Sequence, residues 1–455
     1  MNDDKKFTLW ALAWPIFIEM FLQFLLGTAD TLMVSRISDG AVAVVGISTQ
    51  LFAAVTILFM TVANGAGVLI AQKLGARKPE DARTVAIMAV NISVVIGTLL
   101  SLLLYVFARD IAALLQVPAA LLPMADTYIS IVGGGMTLAA AMAALSTAIR
   151  NTGNTRGPMY IAIGMNVIHV VLNYAFIYGA LGFPQWGLAG VAVSTLVSRL
   201  LATIVLAFLF VHSFERRVGW KDLLQFDRPL FRETMQIGWP MGVHSASWVF
   251  SQLILFSFIA MLGAKELAAR TYMNTMESFC FTLGYSVAMA LQIQIAHLFG
   301  AGRAQDAYRA AYRGMWTGLA VVMTNALLLY VFGSKALSLF TVDAEIVALG
   351  VALLGLNLLL QPGKMINMAM GSALTGIGDT RFIMITGMFS LWLLATPFSY
   401  FLGIRLEWGL AGIYTSMIAD EYLRGFLVLR RWKSGKMLNP AAASPGHQTT
   451  VSVQS

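Results

Sequence analysis

Three polar side chains, Glu19, Gln23 and Asp30, interrupt an otherwise apolar segment near the start of the chain. At about 100° per residue, an α-helix places all three within about 40° of one another. Burial in an apolar medium disfavours the charged form of a carboxyl, so such a group can exchange a proton or bind a cation. The spacing predicts one polar helix stripe, on which Asp30 and Glu19 are the candidate carboxyls for binding a proton or another ion.

Further polar residues lie in other apolar segments. Asn173 is the expected partner of Asp30, and Lys364 is expected to pair with Glu277, since opposite charges are less costly to bury together. A lone histidine such as His169 more commonly packs through a hydrogen bond than relays protons, so we interpret it as a packing residue. The residues predicted to contact substrate or to support the site are Gln23, His169, Asn173, Glu277, Lys364 and Asn367.

The composition indicates which elements hold these residues. Of the 455 residues, 58% are hydrophobic and 11% are charged, against about 25% charged in ordinary globular proteins. Residues 84–108, 127–149, 234–264 and 382–404 contain no charge, and about 20 residues suffice for a membrane-spanning helix. Continuous apolar runs exclude the alternating pattern of a membrane barrel. The chain is therefore predicted to be an all-α membrane protein and not a soluble enzyme.

Helix breaks and charges predict twelve transmembrane helices. With the first residues in the cytosol, 22 of the 30 Lys and Arg residues fall in cytosolic segments and six outside. This asymmetry predicts a multi-pass protein of the cell membrane with both termini cytosolic, and it explains the net charge of +8 without nucleic acid. The predicted spans are 10–34, 42–71, 84–108, 124–149, 158–179, 187–211, 234–262, 267–297, 309–332, 345–374, 382–403 and 409–429.

The sequence also repeats itself at an offset of 225 residues. Trp14-Pro15 matches Trp239-Pro240, and Gly153-x-Thr-Arg156 matches Gly378-x-Thr-Arg381. An even number of helices per repeat gives both halves the same orientation, an arrangement typical of transporters. The predicted organisation is an N-lobe at 1–214, a cytosolic linker at 215–232, a C-lobe at 233–438 and a disordered tail at 439–455. The two six-helix lobes are predicted to be pseudo-symmetric.

Several motifs resemble those of the multidrug and toxic compound extrusion (MATE) transporters over residues 10–430. The matching motifs are Pro15, Gly27-Thr-Ala-Asp30-Thr, Ala71-Gln-x-x-Gly75-Ala, Arg150-Asn-Thr-Gly-Asn-Thr-Arg156, Leu172-Asn-Tyr-Ala-Phe-Ile-Tyr-Gly179 and Gly187-Leu-Ala-Gly190, with second copies at Pro240, Gly300, Gly371–Arg381 and Gly409–Gly412. The resemblance implies two lobes around a central cleft. It also implies export of organic, often cationic, compounds in exchange for protons or sodium ions.

The resemblance also bears on the coupling ion. Asp30 matches an acidic position that many family members carry on the first helix. The sodium-coupled branch has a glutamate on the seventh helix and an aspartate on the tenth, where this chain has Trp248 and Gly363 or Lys364. Because both carboxylates are missing, we expect proton coupling through Asp30, with sodium coupling as the alternative. His169 departs from the asparagine common among relatives.

Other functions receive less support. No Gly-x-x-x-x-Gly-Lys-Ser/Thr loop, His-Glu-x-x-His pair or Gly-x-Ser-x-Gly elbow occurs, so no ATP hydrolysis, metal, cofactor or enzymatic activity is expected. A lipid-linked glycan flippase of the same architecture remains an alternative, although few cations lie inside the predicted spans. The expected partners are small organic substrates, protons and the lipid bilayer, and the chain is expected to act as a monomer.

Overall fold

The computed structural model describes residues 7–180, 182–219, 222 and 225–435, and within these ranges the chain is almost entirely helical without a β-strand. Short helices at Ala108–Leu114 and Gly333–Leu337 follow the third and ninth long helices. The long helices are α1 (Leu9–Val34), α2 (Asp39–Gly75), α3 (Pro79–Val106), α4 (Ala119–Asn151), α5 (Arg156–Tyr178), α6 (Gly187–Val211), α7 (Arg228–Leu262), α8 (Ala264–Gly300), α9 (Ala304–Val331), α10 (Ala344–Gly376), α11 (Thr380–Arg405) and α12 (Gly409–Lys433).

Eleven helices in the described part of the chain, α1 to α11, are long and apolar enough to cross a membrane. The helix α12 corresponds to the predicted twelfth span, and it is more polar because it carries Asp420, Glu421 and Arg424. The predicted all-α membrane fold is therefore confirmed. The predicted disordered tail, 439–455, lies outside the described residues.

The internal repeat is visible in the helix bounds. Adding 225 to the first and last residues of α2, α3 and α4 gives the bounds of α8, α9 and α10. Adding 222 to the bounds of α6 gives those of α12, so three residues are lost between the fifth and sixth helices of the second repeat. Equivalent segments of the sequence therefore form equivalent helices.

The helix α11 is the least regular of the repeated helices. It contains π-helical turns at Leu391–Ala395 and Phe401–Arg405, on either side of a short α-helical segment that includes Pro397. Proline has no backbone N–H to donate, so a widened turn accommodates the missing hydrogen bond. Its counterpart α5 is α-helical throughout.

The contacts between residues divide the chain into two compact units. The first contains the residues up to Leu74 together with Lys78–Gln252, and the second contains Gly75–Arg77 and the residues from Leu253 onward. The division falls inside α7. The lobe boundaries expected from the sequence, at 214 and 233, follow the charged linker and stay a prediction.

The larger, N-terminal part of α7 belongs to the first unit because it packs closely against α2. A Cβ atom on Gly65 would lie 2.5 Å from the carbonyl oxygen of Thr234, and one on Gly238 would lie 2.4 Å from that of Thr61. Only glycine permits such an approach of two backbones. A salt bridge between Lys73 and Glu233, 2.8 Å long, lies near the same contact.

Each unit has its own apolar core. In the first unit, side chains of α2, α4, α5 and α6 surround Phe59 and Ile129, which are almost fully buried. In the second unit, α7, α8, α10 and α12 enclose Leu255 and Met273. The single cysteine, Cys280, is buried on α8, where its thiol donates a hydrogen bond to Asn325 Oδ1 at 2.9 Å.

The segment between α6 and α7 is fastened to the start of α3. Asp222 accepts a hydrogen bond from the Gly219 N–H at 2.7 Å and forms an ion pair with the buried Arg83. The Gly219 N–H, supported by the Arg83 guanidinium, holds the pKa of Asp222 below its usual range. This carboxylate therefore stays charged in mildly acidic solution and keeps the segment in place.

Candidate functional site

Asp30 lies in the last third of α1, next to two polar side chains of α5. Its Oδ1 atom accepts a hydrogen bond from Asn173 Nδ2 at 2.8 Å and lies 2.9 Å from His169 Nε2. The Asp30 side chain is 26% exposed, whereas Asn173 is fully buried. The expected contact between Asp30 and Asn173 is confirmed, while the role of either residue in transport stays a prediction.

The ends of α5 are defined locally. Asn154 Oδ1 accepts the Gly157 N–H at 3.0 Å before the first turn, and Gly179 ends the helix with a φ of +64°, a value that glycine adopts without strain. Since α5 packs against α1 and α6, the face with His169 and Asn173 is turned toward the buried side of this bundle.

On its other side, His169 contacts α6. Its Nδ1 atom lies 3.2 Å from the Ser198 hydroxyl oxygen. The Ser198 hydroxyl also lies 2.7 Å from the backbone carbonyl of Ser194, one turn earlier. The histidine ring is therefore held between α1 and α6, which orients it toward the carboxyl of Asp30.

Two further groups interact electrostatically with Asp30. These are the phenol of Tyr128, on α4, and the guanidinium of Arg199, which follows Ser198 on α6. Within the described residues, the buried Nη1 atom of Arg199 has no hydrogen-bond partner. The carboxyl thus lies in the field of a cation that does not donate a hydrogen bond to it.

Glu19 belongs to a separate pair. Arg150 Nη2 donates to both carboxylate oxygens of Glu19, at 2.9 and 3.1 Å, and contacts the Ser146 hydroxyl at 3.1 Å. Eleven residues along a helix correspond to about 16 Å, so Glu19 is far from the carboxyl of Asp30. The side chain of Gln23 is exposed between them. The predicted stripe therefore contains two separate carboxyl sites.

In the second unit, Glu277 lies in a buried cluster on α8 and α12. Arg270 Nη1 donates to Glu277 Oε2 at 2.9 Å, and the Tyr414 hydroxyl donates to Glu277 Oε1 at 2.6 Å. Arg270 also contacts the Tyr414 hydroxyl at 2.7 Å. All three side chains are at least nine-tenths buried. The carboxylate is therefore neutralised by a fixed cation.

The predicted pairing of Lys364 with Glu277 is wrong. The ammonium group of Lys364 lies over the ring of Phe281, 5.3 Å from its centre, in a cation–π contact. Arg270 takes the place expected for Lys364 because it lies seven residues before Glu277 on the same helix face.

Asn367 contacts a third charged cluster. Its Nδ2 atom donates to Glu421 Oε2 at 2.8 Å. Arg424 lies between two carboxylates of α12, 3.0 Å from Glu421 and also paired with Asp420. Ser390 on α11 completes the cluster by donating to Asp420. These residues join α10, α11 and α12 inside the second unit.

Some residues of these clusters are not evident from the sequence. Ser198 and Tyr414 stand in apolar segments without any motif, and Arg150 and Arg270 lie near helix ends, where the hydropathy assigns them to the membrane surface. Arg199 is detectable as a charge within a predicted span. Across the described ranges, no group of three or more His, Cys, Asp or Glu residues is arranged to hold a metal ion.

Comparison with known proteins identifies relatives along the whole chain. The MatE family matches residues 15–175 and 240–401. An uncharacterized transporter, YisQ of Bacillus subtilis, is 32% identical over 431 residues, which cover 95% of each chain. A probable multidrug resistance protein, NorM of Thermotoga maritima, is 27% identical and covers 93% of this chain and 91% of its own.

Solved structures share the fold. A mutant of the Vibrio cholerae MATE transporter VcmN superposes with a TM-score of 0.88 at 17% identity, covering 96% of this chain and 98% of its own. The two stretches of the MatE match begin at Pro15 and Pro240, which are equivalent positions of the internal repeat. The chain is therefore a membrane transporter of the MATE family.

Proposed function

We propose that this protein exports organic, often cationic, compounds from the cell in exchange for protons, and that Asp30 is the coupling carboxyl. The observation that carries the proposal is the position of Asp30 within the bundle, hydrogen-bonded to Asn173 and His169 while its side chain stays 26% exposed. A carboxyl that is partly accessible and has no charged hydrogen-bond donor can exchange its proton for a cation.

The names of the relatives support the choice of substrate class. NorM of Thermotoga maritima is a probable multidrug resistance protein, and PmpM of Pseudomonas aeruginosa, 26% identical over 410 residues, is a multidrug resistance protein. These names describe the relatives, and they support the proposal that this chain also exports varied organic compounds. We further propose that the protein lies in the cell membrane with both termini in the cytosol, in agreement with the distribution of Lys and Arg. It is proposed to act as a monomer.

Protons are favoured over sodium because of residues on α7, α8 and α10. Trp248 stands where the sodium-coupled branch has a glutamate, and Lys364, a cation, stands near the position of its aspartate. The acidic residue in the buried interior of α8, Glu277, already binds Arg270 and Tyr414. Asp30 is therefore the better candidate for ion coupling.

The experiment is reconstitution in liposomes with an imposed pH or sodium gradient. We expect ethidium to move against its gradient when the pH gradient is present, and Asp30→Asn to abolish this movement. Asp110→Asn, which changes an exposed aspartate in the helix Ala108–Leu114, is the matched control. If Asp30→Asn transports as the wild type does, or if only a sodium gradient drives transport, proton coupling through Asp30 is excluded.

A further inference from the structure

Three polar atoms meet between α1 and α5 at mutual hydrogen-bond distances. Asp30 Oδ1 lies 2.9 Å from His169 Nε2 and 2.8 Å from Asn173 Nδ2, and the two α5 atoms lie 3.0 Å apart. Asn173 is fully buried and His169 is 3% exposed. Since water has little access to these two side chains, each hydrogen in this triangle must come from the side chains themselves or from a bound proton.

The contact with Ser198 determines which ring nitrogen of His169 carries a hydrogen. The Ser198 hydroxyl has a single hydrogen, and its shortest contact, 2.7 Å, is with the backbone carbonyl of Ser194, which can only accept. The hydroxyl oxygen therefore accepts the remaining bond, from His169 Nδ1 at 3.2 Å. Nδ1 thus carries a hydrogen, and in the neutral ring Nε2 carries a lone pair.

The amide of Asn173 lies next to both the carboxyl of Asp30 and the ring of His169. Its Nδ2 atom has two hydrogens, and both acceptors lie within reach, Asp30 Oδ1 at 2.8 Å and His169 Nε2 at 3.0 Å. A carboxylate oxygen and an unprotonated ring nitrogen then face each other at 2.9 Å with lone pairs only. Such a contact is repulsive unless a hydrogen lies between the two atoms.

We propose that one transported proton is held jointly by Asp30 Oδ1 and His169 Nε2, so that His169 is part of the proton site and not only a packing residue. This proposal rests on the proposed function, which it deepens by naming the second atom that binds the proton. The proton is bonded to one of the two atoms and hydrogen-bonded to the other, and it leaves to water without any other covalent change. After it leaves, two acceptors repel each other, and the contact between α1 and α5 is weakened.

Among the described residues, Tyr128 on α4 and Arg199 on α6 are further titratable or charged groups that interact electrostatically with Asp30. The phenol of Tyr128 is neutral at physiological pH. Arg199 carries a positive charge near Asp30, and its Nη1 atom has no partner among the described residues. The guanidinium therefore compensates the carboxylate charge that appears when the proton leaves, and an organic cation can then replace the proton.

The test is proton release during substrate binding, measured with a pH indicator in weakly buffered detergent solution while ethidium is added over a range of pH. The wild type is expected to release about one proton per ethidium bound. In His169→Gln, Asp30 holds the proton without the second basic atom, and the pH profile of release should move toward acid by at least about one unit. His212→Gln, which changes an exposed histidine at the end of α6, should match the wild type.

Ser198→Ala provides a second, more conservative variant in case His169→Gln does not fold. Without the hydroxyl, the ring hydrogen of His169 is free to move to Nε2 and to donate to Asp30, so no extra proton is required. The profile of Ser198→Ala should therefore move in the same direction by a smaller amount. A shared proton is ruled out if every folded variant of these two residues has the same profile as the wild type.

The Asp30→Asn variant separates this proposal from the proposed function. If it releases no proton while His169→Gln and Ser198→Ala follow the wild-type profile, Asp30 is the coupling residue and only the shared proton is rejected. Should Asp30→Asn release protons as the wild type does, or should the wild type release none, the proposed function fails and the shared proton fails with it.

Discussion

The two halves of the chain differ most where they carry polar groups. The repeat copy of Asp30 is Leu255, which is buried in the apolar core of the second unit. At the same offset, the copies of His169 and Asn173 are Leu394 and Phe398. The whole polar contact between α1 and α5 is therefore replaced by apolar residues in α7 and α11.

The reverse holds for the buried cluster of the second unit. Arg270 and Glu277 have Val45 and Phe52 as their copies, and the copy of Tyr414 is Ala192. These three apolar residues belong to the core of the first unit or pack against it. The helices were thus duplicated, whereas each half has its own polar network in a region where the other half has apolar packing.

The two networks also differ in the exposure of their carboxyl group and in the residues that donate hydrogen bonds to it. The Glu277 side chain is 6% exposed and receives a hydrogen bond from Arg270, which fixes its negative charge. Asp30 is 26% exposed, and no Lys or Arg of the described residues donates a hydrogen bond to it. A membrane carboxyl that is bound to a fixed cation keeps its charge, whereas the coupling role proposed for Asp30 requires partners, here histidine and asparagine, that leave the carboxyl able to bind and release a proton.

The largest expected effect is on the stability of the second unit. Arg270→Ala leaves Glu277 as an unpaired buried charge, which should cost about 3–5 kcal/mol of unfolding free energy. Thermal unfolding of the purified protein in detergent measures this loss. Lys265→Ala is the control, since it removes an exposed partner of Glu345 and should lower the stability far less.

A double substitution tests whether Arg270 and Glu277 act only by neutralising each other. Arg270→Met with Glu277→Leu removes both charges and keeps similar volumes, so it should regain most of the lost stability. No recovery would mean that the cluster has a role beyond mutual neutralisation.

The second expected effect concerns coupling in the first unit. Asn173→Leu removes the hydrogen bond to the Asp30 carboxyl, an interaction worth about 1.5–3 kcal/mol for a charged acceptor. We expect proton-driven ethidium transport to fall about tenfold in liposomes, because the carboxyl loses the donor that orients it, and thermal stability to fall by no more than this hydrogen bond is worth. Asn166→Leu is the matched control, because Asn166 lies on the same face of α5 but its side-chain atoms have no partner in the described part of the chain. Equal losses in both variants would contradict a specific role for Asn173.

The smallest expected effect is that of Lys364→Met. Because the ammonium group contacts Phe281 and not Glu277, its removal should cost only about 0.5–2 kcal/mol of stability. Thermal unfolding of this variant and of Arg270→Ala under the same conditions checks that Lys364 contacts Phe281 and not Glu277. A loss of stability as large as that of Arg270→Ala would instead indicate that Lys364 is a partner of Glu277.

Much of the fold follows from the sequence because hydropathy and the repeat are strong signals. The predicted span 42–71 corresponds to the longer helix Asp39–Gly75, since helical hydrogen bonding continues past the apolar region into polar residues. The π-helical turns of α11 are not evident from hydropathy, which reports apolar length but not the hydrogen-bond pattern around Pro397.

The candidate site is only partly predictable. The helical period aligns Asp30 with Glu19, yet their separation along α1 gives them different partners. The sequence does not indicate which face of α8 packs against α12, so Arg270 could not be recognised as the partner of Glu277. Ser198 is equally hidden, because a single hydroxyl in an apolar helix has no periodic signal.

The single cysteine has a practical consequence. Cys280 is 1% exposed, and its thiol is engaged with Asn325 on the neighbouring helix, so thiol-directed labels should leave it unmodified in the folded protein. Reporter cysteines can therefore be introduced at exposed positions of the native sequence without first removing Cys280. Pairs of spin labels or fluorophores attached in this way would allow distances between helices to be followed during a transport cycle.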